Sequence, residues 1–191
     1  MTSQILALLG ALLLLAAFRT VAARRLDAFI SSFAQQSLVL AAVAVVVGVA
    51  TGTPDLYVVA LLTLAVKAWA VPAILRRIAA DLPADEVRSA VGVPLSTIIA
   101  IGLVVLAFFA SPSVAVAGTL LNQPPLSISV SLVLMGLFVV STRRHAVAQL
   151  VGLLTIENGL FSGAIAIAYG LPLIVEFGIL FDILVAVVVV G

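Results

Sequence analysis

Four ionisable side chains stand where this chain has least use for charge. Lys67 lies in LLTLAVKAWAVPAIL, Glu157 in GLLTIENGLFSGAIA, and Glu176 and Asp182 in LPLIVEFGILFDILV. Removing a carboxylate or an ammonium from water disfavours its charged form, so such groups are drawn towards taking up or giving up protons. A row of them held in an apolar medium has the chemistry of a proton relay. Each also has a structural reading. Lys67 with Asp182 is a static buried ion pair. Glu157 is a protonated group hydrogen-bonded to Asn158 or Gln36 on a neighbouring helix. Glu176 near an interface simply reaches water. Gln35 and Gln36 read as interhelical hydrogen-bonding groups, and His145 as a solvated loop residue.

The medium follows from composition. Of 191 residues, 64% are hydrophobic and 9% charged, with mean hydropathy +1.40. A soluble domain carries about 25% charged residues. This chain cannot cover itself with polar surface and must face lipid. It has no cysteine and one histidine, which excludes thiolate-held metals, iron–sulfur clusters and disulfides within the chain and leaves no metal motif. A net charge of +1 argues against nucleic-acid binding.

A crossing needs about 20 mainly apolar residues. The stretches 2–20, 28–50, 55–75, 91–110, 126–142, 146–168 and 172–191 qualify, so the expected fold is all-α, a polytopic membrane protein of about seven transmembrane helices. Breaks fall at TGTPD, RRIAADLPADEVRS, SPSVAVAGTLLNQPPLS and YGLP, where Gly, Pro and charge interrupt helices. The final span runs to Gly191 without a polar flank, which suggests a tail beyond it. Pro72 predicts a kink just after Lys67, with Trp69 packed beside it.

Charge tests the map. Arg19, Arg24 and Arg25 lie between spans one and two, Arg76, Arg77 and Arg88 between three and four, and Arg143 and Arg144 between five and six. The other connections contain neither Lys nor Arg. The positive-inside rule makes the arginine-bearing side cytoplasmic, the N-terminus periplasmic and the C-terminus cytoplasmic. Counting at about 1.5 Å per residue sets Lys67 ~14 Å from Arg76, Glu157 ~20 Å from Arg144 and Asp182 ~15 Å below Pro172. All three fall near mid-membrane, where a charge costs about 2.5–3.5 kcal/mol. Glu176 is one turn from the outer edge.

An internal repeat emerges at a spacing of roughly 115–120 residues, of the kind known in transporters. AARRLDAFISSFAQQSLVLAAVAV lies over STRRHAVAQLVGLLTIENGLFSGAIAI, each with an Arg-Arg start and a polar cluster, Gln35-Gln36-Ser37 or Glu157-Asn158. The next spans place Lys67 opposite Asp182. Residues 1–90 and 125–191 are then two parallel three-helix units, with a linking helix and loop over 91–124.

RRHAVAQLVGLLTIENG and the LPLIVEFGILFDILV ending resemble the K subunit of complex I and the C subunit of multisubunit cation/proton antiporters. Over nearly the whole length, with LTLAVKAWAVPAIL added, the chain resembles hydrogenase-4 component E, a membrane subunit of group 4 nickel–iron hydrogenases, including formate hydrogenlyase-type complexes. The K subunit carries two mid-membrane glutamates on a proton axis. Asp182 falls at the second. The first aligns with Leu154, and Glu157 lies one turn further on the same face.

The resemblance implies a non-enzymatic accessory subunit of an oxidoreductase complex in a bacterial or archaeal cytoplasmic membrane. It would sit between antiporter-like and quinone-module-like membrane subunits, with cytoplasmic hydrogenase subunits carrying the nickel–iron centre and iron–sulfur clusters. Glu157, Asp182 and Lys67 form the expected proton (or sodium) relay, with Glu176, Asn158, Gln35 and Gln36 as accessory polar groups. Two other readings stay open: a subunit of a cation/proton antiporter, and an architectural spacer.

Overall fold

In lipid every backbone N–H and C=O must be satisfied within the segment, and apolar runs of this length therefore wind into helices. The computed structural model describes residues 2–80, 87, 89–110 and 124–168. They form α1 (Thr2–Ala22), α2 (Leu26–Thr51), α3 (Asp55–Leu62), a π-helical segment (Thr63–Ala70), α4 (Val71–Ala80), α5 (Val93–Ala110), α6 (Pro124–Thr142) and α7 (Ala146–Ala168). Asp55–Ala80 is one continuous rod. Five of these helical runs are long and apolar enough to cross a membrane, and Leu126–Thr142 is a shorter apolar helix. The protein is a multi-pass helical membrane protein. Six of the seven expected spans are thus present as helices. The seventh, 172–191, lies outside the described residues with Glu176 and Asp182.

Local chemistry sets the boundaries. Arg25 is extended (φ −115°, ψ 146°) ahead of α2. Gly52 closes α2 in the left-handed region at φ 69°, its N–H donating to the Gly48 carbonyl at 2.9 Å. A side chain there would be strained. At Pro72, where a kink is expected, the helical hydrogen bonding changes. The ring removes an N–H and crowds the carbonyl four residues back, and the residues just before it, Thr63–Ala70, wind as a π-helix. The Val71 N–H donates to Val66, five residues back. The Lys67 carbonyl is thereby denied its α-helical donor, while Pro72 offers no N–H in its place. Trp69 does not pack beside Pro72: it is 74% exposed and points outward, as its amphipathic ring allows at a lipid-facing surface.

The α1–α2 and α6–α7 hairpins lie side by side, α1 against α6 and α2 against α7. The α3–α4 rod runs along α2, and α5 lies outside α1 and α6. Large apolar side chains such as Ile98 and Phe109 face outward on α5, where lipid solvates them. The arginine-bearing connections meet at one end. The Val87 N–H donates to Arg24 O at 2.8 Å and the Ala90 N–H to Thr142 O at 2.9 Å. Ser89 bridges Arg143, whose guanidinium donates to the Val21 carbonyl. The turns after α1 and α6 and the segment before α5 therefore share one end, as the charge pattern predicts.

Hydrophobic burial gives little drive between helices already in lipid, so close packing of small residues matters more. The α6–α7 contact is built that way. A Cβ on Gly152 would sit 3.1 Å from the Gly136 carbonyl oxygen, and one on Gly159 would sit 2.9 Å from the Val133 nitrogen. The Ser129 hydroxyl donates to Gly159 O at 2.6 Å. Gly159→Val is expected to lower stability by about 1–3 kcal/mol through overpacking, measured by thermal unfolding in detergent. Gly102→Ala, with open space around it, should change it little.

Candidate functional site: a buried ion pair

The π segment turns Lys67 inward from the rod, and α7 presents Glu157 to meet it. Lys67 Nζ lies 2.6 Å from Glu157 Oε1, with side-chain exposures of 8% and 12%. Two residues 90 positions apart, set at mid-depth by counting from separate arginines, therefore stand at one level. The contact is a buried ion pair, an ammonium held against a carboxylate within the bundle. The Lys67 ammonium also lies 3.5 Å from Asn158 Oδ1 and 5.9 Å from the centre of the Phe161 ring. The ring face adds cation–π attraction.

Asn158 fixes the polarity of the arrangement. An ammonium has only donors, so the amide must turn its oxygen towards Lys67 and its NH2 elsewhere. That NH2 donates to the Ser37 hydroxyl of α2 at 3.4 Å. Ser37, Asn158, Lys67 and Glu157 thus form one chain of polar contacts across α2, α7 and the π segment. Ser37 and Asn158 are fully buried.

Of the other expected residues, Gln36 is fully buried beside Ser37 in sequence and donates through Nε2 to the Thr20 hydroxyl of α1 at 2.9 Å. It bonds neither Asn158 nor Glu157. Gln35 turns away from the pair: it is exposed and accepts from Arg19. Lys67 takes Glu157 as its partner; Asp182, its alternative partner in the static reading, lies outside the described residues. His145 serves as a cap instead of a free loop residue. Its Nδ1 accepts from the Val147 N–H at 3.2 Å and its carbonyl from the Gln149 N–H at 3.0 Å, which starts α7.

Phe161, Thr20 and Arg143 were not legible as site or core residues. Phe161 had a signal, standing one turn after Glu157 on the same face. Arg143 had none, because it shares its letter with its exposed neighbour Arg144.

Fold and site together define a class: a multi-pass helical membrane protein with a buried lysine–carboxylate pair inside its helix bundle. The chain is 36% identical over 183 residues to the uncharacterized protein Rv0085 of Mycobacterium tuberculosis, covering 94% of this chain and 82% of that protein. It belongs to that protein's family. No family model and no solved structure matches the chain.

Proposed function

We propose that this protein is a non-redox, ion-conducting membrane subunit of a complex I-like group 4 hydrogenase complex, with Glu157, Lys67 and Asp182 as stations for protons (or sodium). The observation that carries the reading is the Lys67–Glu157 contact of 2.6 Å, buried within the helix bundle and continued to Ser37 through Asn158. Ionisable groups inside membrane spans face bundle interiors, pair with one another and mark ion paths. The resemblance to hydrogenase-4 component E and to the K subunit supports the choice of complex. On this reading the chain performs no catalysis itself. Nickel–iron and iron–sulfur chemistry belongs to cytoplasmic partner subunits, docked on the arginine-bearing end and facing the cytoplasm, with the N-terminus outside. Antiporter-like and quinone-module-like subunits flank it in the membrane.

In the intact complex, Glu157→Gln or Asp182→Ala is expected to abolish proton translocation while hydrogen turnover with a soluble electron acceptor continues. Proton uptake into vesicles, measured beside hydrogen turnover, checks this. Full pumping by both variants would exclude the relay. Normal assembly and pumping by Glu157→Gln favours the spacer reading, and co-purification without any nickel-containing subunit favours the antiporter.

A further inference from the structure

The Lys67–Glu157 pair is largely buried, with side-chain exposures of 8% and 12%, and a proton station needs a way to water. Between α1 and α2, on the side of the pair nearest the arginine-bearing end, stands a column of buried polar groups. Thr20, Ser32, Gln36 and Ser37 are each at most 1% exposed. Ser32 and Gln36 are one turn apart on α2 and share a face. Gln36 donates to Thr20, and Ser37 continues the column to Asn158, Lys67 and Glu157. At the rim of the same helix pair, exposed Arg19 donates to exposed Gln35.

The column is short of donors. The Thr20 hydroxyl gives its proton to Ala16 O at 3.1 Å and the Ser32 hydroxyl gives its own to Ala28 O at 2.7 Å. Their oxygens can then only accept. Gln36 Oε1 is buried with no hydrogen-bond partner among the described residues. A buried carbonyl left bare costs about 1–3 kcal/mol, and such groups are ordinarily satisfied by internal water. A wall of acceptors also suits an excess proton, since hydronium is a pure donor and passes along water by exchanging O–H bonds.

We infer that the Thr20–Ser32–Gln36–Ser37 column holds a file of water that connects the Lys67–Glu157 pair to the arginine-bearing end. Gln36 is the positioning residue that anchors this file through its free oxygen. The inference rests on the proton-conducting reading for its purpose, but its test reads water access and not pumping.

The chain contains no cysteine, so single cysteines report cleanly. Thr20→Cys, Ser32→Cys and Ser37→Cys would be placed one at a time in the full chain, within intact membranes. Silver ion is added outside inverted or right-side-out vesicles. Where water reaches the thiol, silver binds the thiolate, the proton leaves to solvent, and the site is protected from later maleimide labelling after denaturation. The expected result is protection at all three positions from the arginine-bearing side, at least tenfold faster than from the other side. Ala44→Cys, two turns beyond Gln36 among apolar residues and fully buried, should stay unprotected. Adding Gln36→Leu should slow protection at Ser37→Cys at least tenfold.

Serine and cysteine have side chains of the same length, and three positions guard against one misfolded variant. Lack of protection at Ser37→Cys, equal rates from both sides, or indifference to Gln36→Leu would overturn the inference. Because no step depends on translocation, access can succeed where Glu157→Gln disproves pumping, and can fail where pumping is proven.

Discussion

Lys67→Met, made alone, is expected to destabilise the bundle by about 3–5 kcal/mol, the largest effect of any single change to the pair. The side chain is of similar length and apolar, so packing changes little. What changes is that Glu157 keeps its burial and loses the ammonium 2.6 Å away. Asn158 loses the donor at its oxygen as well. The double variant Lys67→Met/Glu157→Leu removes both charges and should recover most of the loss, because a buried pair replaced by apolar groups is often neutral or stabilising. The difference between single and double variants is the coupling energy of the pair. Detergent unfolding curves for wild type, each single variant and the double give it. A double variant as unstable as the sum of the singles would mean that packing, not charge, dominates.

Arg143→Ala is expected to cost about 3 kcal/mol or more, on the scale of removing a large buried side chain, with a further loss where a bonded carbonyl is left bare. Arg143 is 2% exposed, donates to Val21 O and lies with its guanidinium 5.4 Å from the Phe29 ring centre. Its own backbone is bridged to Ser89. The side chain therefore ties the α6–α7 turn to the end of α1 and the start of α2, while the backbone at the same residue holds the entry to α5. Arg143→Lys should rescue poorly, since an ammonium neither spans that fork of donors nor stacks flat on a ring. Arg144→Ala, exposed, serves as the control. Unfolding midpoints rank the three.

Burial pushes the Arg143 guanidinium below its ordinary pKa, yet arginine starts so high that the group stays charged at neutral pH. With the folded value lowered, the charged form weakens the fold below that pKa, and the penalty lifts only as pH rises through it, in strong alkali. The effect of Arg143→Ala should accordingly be flat across neutral pH.

Much of this architecture was legible because lipid imposes few choices. Apolar length placed six helices within a few residues. The arginines sorted the connections to one end, and counting from Arg76 and Arg144 brought Lys67 and Glu157 to one depth. That they touch was not legible, since rotation about each helix decides contact and composition does not fix rotation. The π segment shows why. Pro72 announced a disturbance, but not its form, a π-helical run over Thr63–Ala70 that carries Lys67 against α7. The inward turn of Arg143 and the outward turn of Trp69 escaped for the same reason. GLFSG, with glycines four apart, did carry a readable signal for close packing, and Gly159 and Gly163 fulfil it against α6.

The pairing of Lys67 with Glu157 also has an electrical meaning. One positive and one negative charge at a single level sum to zero, so the resting pair presents no net charge on which the membrane voltage can act. Removing one partner, as in Lys67→Met, would leave a net charge partway across the membrane. A full crossing is worth about 2.3 kcal/mol per 100 mV, so a charge halfway feels about half of that. Either single variant is thus voltage-sensitive while the intact pair is not, and the bundle can hold two ionisable groups in lipid without being pulled by the field across the membrane.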